Sequence, residues 1–477
     1  MKISLIVVLL LCLAYASAQT LPPLRMVTQQ IEVIYATPAD AQAAALSFAP
    51  VYDNRDWAFS ARWDDTNANS LNMAQHMAKY GLKGTFYLTQ PDLKQNLGAD
   101  WAKKLQAAGC SIGGHSLTHP KFAEQPANEV FRQILANRIE WEDLLDTPLN
   151  SFAFPYGQYR DPNNPLVLQA TTESVQRSGY LHCVYSDFVR NNPHLLPGEL
   201  CTGNQVVPGD RAVEAEKFQT ELDKIITKYP DNYRKVGHQV FLGVHAWQSP
   251  DEFVKLDAVF ETLANKPNWW YCTQNEWAAY CRQVVQSKLE PAAVTGSTVR
   301  YTLTRPASTE LGAAVPLTCL IAKAAVQSVK LDGQPVPTDH RGDLFVLNVP
   351  ATQPLPQRIG RIDMAAQPVP AECADYPGLK CLLLVDGQKI SLKLDTPQNT
   401  PLSALAVTFR LPVLYDTALL TANLPKLTAA TTTTIELPLP APRQDAFWQQ
   451  GPKYYAAQID FTTPTGPGRV WVTTERP

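Results

Sequence analysis

The sequence of 477 residues lacks several features that would assign it to a class at once. Its net charge is only −3, so it offers no basic surface of the kind that nucleic-acid binding requires. It contains no phosphate-cradling loop, and Gly114 to Thr118 departs from the G-x-S-x-G elbow of serine hydrolases at the last position. No apolar run is long enough to span a bilayer as a helix. The sequence therefore predicts neither a nucleic-acid partner nor a membrane anchor.

The first residues have the pattern of an export signal. Lys2 precedes an apolar run from Ile3 to Leu13, and Ala16-Ser17-Ala18 supplies a small-residue cleavage site. The sequence therefore predicts a signal peptide over residues 1–18 and a secreted or periplasmic location.

Cysteine is scarce but even in number once the leader is set aside, since nine cysteines become eight without Cys12. Export permits disulfide bonds. No C-x-x-C pair occurs, which makes a zinc cluster the weaker interpretation. The simplest disulfides join residues that are close in sequence, whereas two other cysteines are equally well explained as buried thiols. The predicted pairs are Cys272/Cys281 and Cys373/Cys381, and the other two residues are Cys183 and Cys201.

Residues 56–288 alternate between strand-like and helix-like segments. This alternation predicts an α/β domain with a parallel sheet, either doubly wound or closed as a barrel. In both architectures the active site lies at the carboxyl ends of the strands. The predicted strands are 58–63, 83–88, 110–112, 151–154, 181–185, 240–244 and 269–272, and the predicted helices are 70–80, 100–108, 129–145, 172–178, 212–228, 252–264 and 276–286.

The composition changes after about residue 289. Prolines become frequent, and short Val/Leu/Thr runs are separated by turn signals such as Asp332-Gly333. This pattern predicts an all-β, sandwich-like accessory domain over residues 289–477. Trp448 and Trp471 in that region are candidates for stacking on sugar rings, although tryptophans in such a domain more often belong to its core. Residues 19–55 form an N-terminal extension with one predicted strand.

The acid pair Asp64-Asp65 follows the first strand of the alternating region. Adjacent acids are also common on solvated loops, so the pair alone does not identify a site. At the end of a strand, however, the two side chains can diverge. One carboxylate can then bind a metal ion while the other removes a proton from the water that the metal activates.

His115 and His119 follow the third predicted strand. Their spacing matches the zinc-protease helix, but Ser116 stands where that motif has its glutamate base. Two glycines before the pair and a proline after it argue against a helix. Either histidine alone would be read as a surface or core residue, whereas together they predict metal ligation.

His245 ends the apolar strand 240–244. A lone histidine in this position is usually structural, but beside a metal site it is a natural general acid because its pKa lies near neutrality. Asp187, after the strand 181–185, is a candidate partner that would keep it protonated.

Together these segments resemble the polysaccharide deacetylase family, the NodB-homology domains of carbohydrate esterase family 4, as a divergent member. The resemblance covers about residues 59–286. The family's first motif, T-F-D-D-G, reads Arg62-Trp63-Asp64-Asp65-Thr66, and its H-[ST]-x-x-H motif is intact at His115 to His119. Its R-x-P-[YFW] motif has Ala153 in place of the arginine that steadies the base, and Arg62 is a candidate replacement. The segment Leu242-Gly243-Val244-His245 matches the fifth motif, and the fourth is not placed.

The resemblance implies a distorted (β/α)7 TIM-like barrel and metal-assisted hydrolysis. The cofactor would be a divalent metal, Zn2+ first and Co2+ or Ni2+ as alternatives. The implied metal ligands are Asp65, His115 and His119, the implied catalytic groups are Asp64 as base, His245 as acid and the Tyr156 N–H for the oxyanion, and the implied substrate-binding residues are Pro155 and Trp247.

The sequence therefore predicts a secreted, metal-dependent polysaccharide deacetylase that acts on N-acetyl groups of an amino-sugar polysaccharide or oligosaccharide. Two alternatives stay open. One is an O-acetyl esterase of the xylan type in the same family. The other is a non-catalytic carbohydrate-binding pseudoenzyme, which Ala153 and the unplaced fourth motif suggest.

Overall fold

The structure is a computed structural model of the chain. It describes residues 24–183, 203–206, 214–228, 239–243, 245–322, 326–337, 339–351, 358–365, 368–398 and 400–476. The predicted signal peptide, Asp187 and Cys201 lie outside these ranges. Within the ranges, no helix combines the length and the apolar character that crossing a bilayer would require.

The first half of the described chain leads into a parallel sheet flanked by helices. The N-terminal elements are β1 (Met26–Tyr35), α1 (Pro38–Gln42) and β2 (Leu46–Phe48). The strands of the sheet are β3 (Trp57–Asp64), β4 (Gly84–Leu88), β5 (Ser111–Gly114), β6 (Ser151–Phe152), β7 (His182–Cys183), β8 (Gly203–Val206), β9 (Gln239–Leu242) and β10 (Trp269–Tyr271). The helices between and after them are α2 (Ser70–Lys79), α3 (Ala99–Ala107), α4 (Ala127–Leu145), α5 (Pro165–Arg177), α6 (Ala215–Lys228), α7 (Pro250–Leu263) and α8 (Gln274–Gln286).

The sheet runs in the order β7-β6-β5-β4-β3-β9-β8, and β10 pairs with the beginning of β3. Every neighbouring pair is parallel. The predicted mixed α/β fold with a parallel sheet is therefore confirmed, and only β8 was missed. Among the described residues no pairing joins the edge strands β7 and β8, so closure into a seven-stranded barrel stays a prediction.

Local sequence explains where the helices begin. Helix α5 starts earlier than predicted because the Asn164 side chain accepts from the Leu166 N–H and Pro165 occupies the first turn, where its missing N–H costs nothing. Helices α7 and α8 begin with reciprocal capping boxes at Ser249 and Thr273. The starts of these three helices are therefore set by the local sequence.

The second half of the chain is rich in β-strands, as predicted. Its strands are β11 (Lys288–Thr295), β12 (Thr298–Pro306), β13 (Leu317–Ala322), β14 (Val326–Leu331), β15 (Gln334–Pro335), β16 (Asp339–Arg341), β17 (Leu344–Val349), β18 (Arg358–Asp363), β19 (Ala371–Glu372), β20 (Lys380–Val385), β21 (Lys389–Asp395), β22 (Leu402–Arg410), β23 (Leu419–Leu427), β24 (Thr432–Pro438), β25 (Lys453–Thr463) and β26 (Gly466–Arg476). Two short helices, α9 (Ser308–Leu311) and α10 (Ala446–Gln449), interrupt them.

These strands form four sheets with two separate cores. The sheets β11-β12-β1-β14-β15 and β16-β17-β13-β2 contribute to one core, and the sheets β18-β26-β25-β22-β23 and β19-β20-β21-β24 contribute to the other. The N-terminal strands β1 and β2 thus pair with strands of the second half. The proposed boundaries at residues 55 and 288 and the sandwich arrangement stay predictions.

The sheet β18-β26-β25-β22-β23 docks on α4 of the first half. Apolar side chains of α4 share a core with Trp448 and Trp471, which are 5% and 0% exposed. In the structure both tryptophans are therefore core residues, which does not favour a role in stacking on sugar rings. The α4 residues in this shared core are Ala127, Phe131, Leu135, Ala136 and Ile139.

The predicted disulfides are absent from the structure. The structure shows no disulfide bond among the seven cysteines that it describes, and all seven are buried. The Cys272 thiol instead donates to the Phe59 carbonyl oxygen over 3.7 Å, and burial raises its pKa. Cys183 is one of the buried thiols, in agreement with that alternative.

Candidate metal centre

The predicted site residues lie at the carboxyl ends of neighbouring parallel strands. Asp64 is the last residue of β3, and His115 directly follows β5. His245 follows β9 and forms an isolated parallel bridge with Asp64. Because the strands are parallel, their carboxyl ends bring residues that are far apart in sequence to one edge of the sheet.

His115 is fixed by backbone contacts that leave one ring nitrogen open. Its Nδ1 lies 2.8 Å from the Ala153 carbonyl oxygen, and since a carbonyl can only accept, Nδ1 must carry the proton. In the neutral ring Nε2 then presents a lone pair. This Nε2 is buried and has no hydrogen-bond partner, although the Asp65 Oδ1 lies 3.3 Å away. Two acceptors that face each other at this distance call for a cation between them.

His119 reaches the same point from a tight loop. Its backbone and that of Ser116 have positive φ angles of 57° and 67°, and the His119 N–H donates to the Ser116 hydroxyl over 3.1 Å. The loop is not helical, as the flanking glycines and proline predicted. The His119 Nε2 lies 3.2 Å from the Asp65 Oδ1, and the His119 and His115 rings are 4.9 Å apart.

The three predicted ligands form a compact group. One donor atom each from Asp65, His115 and His119 lies within 4.8 Å of the others. Two donors at tetrahedral angles around zinc, each about 2.0–2.1 Å from it, are about 3.3 Å apart. The 3.2 and 3.3 Å separations from the Asp65 oxygen match this value. The donor set of one carboxylate and two imidazoles, with the orphaned Nε2, fits a divalent metal.

The electrostatics of the group favour a carboxylate at Asp65 and a neutral ring at His119. Burial raises the pKa of the Asp65 carboxyl, but the imidazoles of His115 and His119 lower it more, so the pKa lies below its ordinary value. Burial lowers the pKa of His119, and the neighbouring His115 lowers it further against the pull of Asp65. A carboxylate and neutral imidazoles are the metal-binding forms.

Helix α4 holds the histidine loop in place. Asn137 accepts from the His115 N–H over 3.0 Å and donates to the Leu88 carbonyl oxygen over 3.1 Å. Gln133 accepts from the N–H of Thr118 over 2.9 Å. Gly114 is required beside them, because a Cβ there would lie 2.9 Å from the Asn137 Oδ1. No pattern in the sequence indicates this support, since it depends on how the helix docks.

Arg62 binds the predicted base, Asp64, through two hydrogen bonds. Its Nε and Nη2 donate to the two Asp64 oxygens over 2.9 and 2.5 Å, and both side chains are 4% exposed. The residues are two apart on β3, which puts them on one face of the strand. Ala153, which occupies the position of the family's arginine, contributes its carbonyl oxygen to His115 instead. Arg62 thus makes the contact to Asp64 that would be expected of the candidate replacement.

His245 and Trp247 form the opposite wall of the site. The His245 Nε2 lies 3.7 Å from the Asp65 Oδ2. Its ring stacks on the Trp247 indole with centroids 3.9 Å apart and an interplanar angle of 4°. Trp247 is 52% exposed, so part of its face is open to a ligand.

Pro155 and Tyr156 lie in a short 3-10 turn that follows β6. Pro155 is buried, whereas Tyr156 is 60% exposed and has a positive φ of 57°. The Tyr156 ring meets His119 edge-on with centroids 4.5 Å apart. The structure therefore brings all eight predicted site residues to one edge of the sheet.

Comparison with known proteins supports the resemblance drawn from the motifs. Residues 55–173 match the model of the polysaccharide deacetylase family. The match contains Asp64, Asp65, both histidines of the pair and Tyr156, whereas His245 lies beyond it. No curated protein matches the chain.

Several solved structures align with part of the chain. The Xyl-CE4 domain of a multidomain xylanase from the hindgut metagenome of Trinervitermes trinervoides aligns at 14% identity and a TM-score of 0.33, over 46% of this chain and 89% of that one. The peptidoglycan deacetylase PdaC from Bacillus subtilis aligns at 13% identity and a TM-score of 0.30, over 47% and 90%. A family 4 pseudoenzyme from Bacillus anthracis aligns at 15% identity and a TM-score of 0.32, over 48% and 66%.

Proposed function

We propose that this chain, which contains a polysaccharide deacetylase domain, is a metal-dependent hydrolase that removes acetyl groups from the amino sugars of a glycan. The observation that carries the proposal is the group Asp65, His115 and His119, in which a buried Nε2 lone pair faces a carboxylate. The ion-paired Asp64 beside this group supplies the base that a hydrolase needs.

The three ligands would hold a divalent cation, Zn2+ first and Co2+ or Ni2+ as alternatives. A bound cation of this kind would polarise the acetyl carbonyl and make a water molecule at the site more acidic. Carboxylate and imidazole ligands suit zinc and also tolerate cobalt and nickel. Three protein ligands leave a coordination position for substrate or water, as in catalytic zinc sites.

In the proposed reaction the residues of the chain move two protons. Asp64 accepts a proton from the water that adds to the acetyl carbon, and Arg62 keeps the carboxylate oriented toward that water. The C–N bond then breaks as His245 donates a proton to the departing nitrogen. The products are acetic acid, which ionises to acetate in solvent, and a free amine; Asp64 releases its proton and His245 takes one up before the next cycle.

Three further residues would position the substrate. The Tyr156 N–H, in the turn beside His119, would donate to the oxyanion that develops on the acetyl group. The exposed face of Trp247 would stack on a sugar ring, and Pro155 would fix the turn. Because Trp247 also stacks on His245, a bound sugar ring would lie close to the general acid.

One of the two observations that suggested a pseudoenzyme no longer supports it. That alternative rested on Ala153 and an unplaced motif, but Arg62 already makes the bidentate contact to Asp64. An O-acetyl esterase would use the same residues, with an alkoxide as the leaving group in place of an amine. Export through residues 1–18 and an accessory role for residues 289–477 belong to the same proposal.

Acetate release tests the proposal directly. Purified protein should release acetate from N-acetylglucosamine oligomers, lose this activity in a chelator and regain it with zinc, cobalt or nickel. Asp64→Asn should be inactive although it keeps the metal, because the amide cannot accept the proton. A parallel assay on an O-acetylated xylan separates amide from ester hydrolysis. Glycan binding without acetate release under all three metals would favour the pseudoenzyme instead.

A further inference from the structure

A cavity of about 610 Å3 lies where the sheet β18-β26-β25-β22-β23 meets the first half of the chain. None of the candidate metal ligands lines it. Helix α4, the loop before β7 and the strands β22, β23 and β25 contribute its walls. The volume falls in the range of pockets that hold small organic ligands, about 300–1,000 Å3.

Arg410 in the wall of this cavity has a buried positive charge without an acidic partner. Its side chain is 6% exposed and donates to two neutral acceptors, the Gln458 Oε1 at 2.5 Å and the Arg177 carbonyl oxygen at 2.5 Å. In the part of the chain that the structure describes, no carboxylate lies within 4.0 Å of it. A buried charge that is hydrogen-bonded but not neutralised is costly, and an anion would remove that cost.

The neighbouring arginines are already paired. Arg469 binds Asp460 over 2.7 Å, and Arg469 and Arg138 bind the buried Glu142 over 3.1 and 2.6 Å. Burial, and after it the charges of Arg138 and Arg469, lower the pKa of Arg410 to about 9 against the opposing effect of Glu142 and Asp460. The carboxylates at the junction are therefore shared by other cations.

The backbone makes room for two guanidinium groups at this wall. Gly179 has a φ of 78°, and a Cβ on it would lie 2.6 Å from the Arg138 Nη1 and 2.9 Å from the Arg410 Nη1. Ala404, on the same strand β22 as Arg410, also lines the cavity and has a positive φ of 49° at a register shift. Bulges of this kind re-aim side chains at ligand sites.

The remaining walls suit a ligand with hydroxyl groups. They offer amide and hydroxyl side chains, and the buried Oδ1 of Asn150 has no hydrogen-bond partner. The acid Glu310 also lines the cavity; burial raises its pKa, and Asp460 raises it further. The polar residues available to a ligand include Asn150, Thr408, Thr421 and Asn423.

We propose that this cavity binds a small polyhydroxylated carboxylate, of the size and chemistry of a uronic acid, with its carboxylate on Arg410. The inference does not depend on the proposed deacetylase function, because the cavity and the metal centre share no residue. The carboxylate would supply the missing countercharge, and the amide and hydroxyl groups would bind the ring hydroxyls.

Calorimetric titration of the full chain with D-glucuronate tests this proposal. D-glucose is the matched neutral probe, acetate carries the charge without the ring, and inorganic phosphate is an anion without either. Glucuronate should bind, and glucose and acetate should each bind at least about tenfold more weakly, because each lacks one set of contacts. No glucuronate binding at up to about 10 mM, or phosphate binding as tight as glucuronate, would overturn the proposal.

Variants locate the binding. Arg410→Gln should weaken glucuronate at least about tenfold and leave glucose binding unchanged, since only the charged contact is lost. If that variant does not fold, Asn423→Leu on the exposed side of β23 provides the second test and should weaken both sugars. Glucuronate that binds the metal centre instead would be insensitive to both substitutions, and that result would reject the cavity. Acetate release is measured in parallel and should not change with Asn423→Leu.

Discussion

The two faces of helix α4 differ in how completely the polar atoms next to them are hydrogen-bonded. On one face Asn137 and Trp141 donate to backbone carbonyls beside the metal centre, and the site that they support leaves the His115 Nε2 without a partner. On the other face Glu142 accepts from Arg138, Arg469 and other donors until no oxygen is left unpaired. The first arrangement keeps a lone pair for a ligand, whereas the second joins two halves of the chain. A polar atom left open next to a rigid support therefore marks function better than a buried charge that is already paired.

The largest expected effect on activity comes from removing one of the candidate metal ligands, Asp65. Asp65→Asn keeps the size of the side chain but loses the charge that faces both imidazoles. We expect the metal to be lost and acetate release to fall on the order of a thousandfold or more. Metal content by mass spectrometry and the acetate assay check this. One equivalent of zinc retained with full activity would contradict the metal assignment.

A substitution on the face of α4 that carries Glu142 should lower the stability of the protein and hardly change its catalytic activity. Glu142→Gln leaves Arg138 and Arg469 buried with less countercharge, so we expect the free energy of unfolding to fall by about 3–5 kcal/mol. Urea unfolding measures this change. Acetate release per folded, metal-loaded molecule should stay near that of the wild type, and a large loss there would show that the two faces are not separate.

The same residue predicts a pH dependence. Burial raises the pKa of Glu142, but Arg138 and Arg469 lower it more, so the pKa in the folded chain lies below the ordinary value of 4.5. A depressed pKa adds stability that is present above about 4.5 and is lost as the pH falls through the folded-state value. Unfolding free energy measured below pH 4.5 should therefore fall less steeply in Glu142→Gln than in the wild type.

Arg62 tests how far the support of the base matters. Arg62→Ala removes both hydrogen bonds to Asp64, whereas Arg62→Lys keeps the charge but loses the fork. We expect kcat to fall about 10- to 100-fold in the alanine variant and less in the lysine variant, with little change in KM or zinc content. Equal losses in both variants, or a loss confined to KM, would mean that Arg62 does not orient the base.

Sequence was sufficient for the parts of the site that depend on local order. Asp64 and His115 lie at strand ends, and the alternation of strands and helices places those ends at one edge of a parallel sheet. The glycines and the proline around the histidine pair excluded a helix, as observed. The fold of the first half could be predicted for the same reason, since most of its strands and helices have a recognisable hydrophobic pattern within a short stretch of sequence.

What could not be predicted depends on contacts distant in sequence. The pairing of β1 with β12 joins segments on either side of the parallel sheet, and no local pattern announces it. Glu142 on a helix would ordinarily be read as a solvent-exposed acid, and it is buried because the sheet that contains β26 docks there. The role of Asn137 likewise depends on how α4 lies against β5. The disulfide prediction failed because spacing in sequence says nothing about where the thiols point.

A matched pair of asparagines tests the comparison within one helix. Asn128 and Asn137 lie about two and a half turns apart on α4 and so occupy opposite faces. Both are fully buried; Asn128 binds the Trp448 carbonyl and the Leu414 N–H, and Asn137 binds the histidine loop. Alanine at either position should lower the free energy of unfolding by about 1–3 kcal/mol, because buried backbone groups lose their partners.

Of these two variants, only the one at Asn137 should change the affinity for the metal. Asn137→Ala frees the N–H of His115, so we expect zinc affinity to fall about 10-fold or more, as for other residues that orient metal ligands. Asn128→Ala should bind zinc as the wild type does. Competition with a chromogenic chelator measures both. If the two variants lose zinc affinity equally, the loss of affinity follows the loss of stability alone. Helix α4 must then be regarded as one cooperative support, in which the sheet docked on it also holds the metal centre.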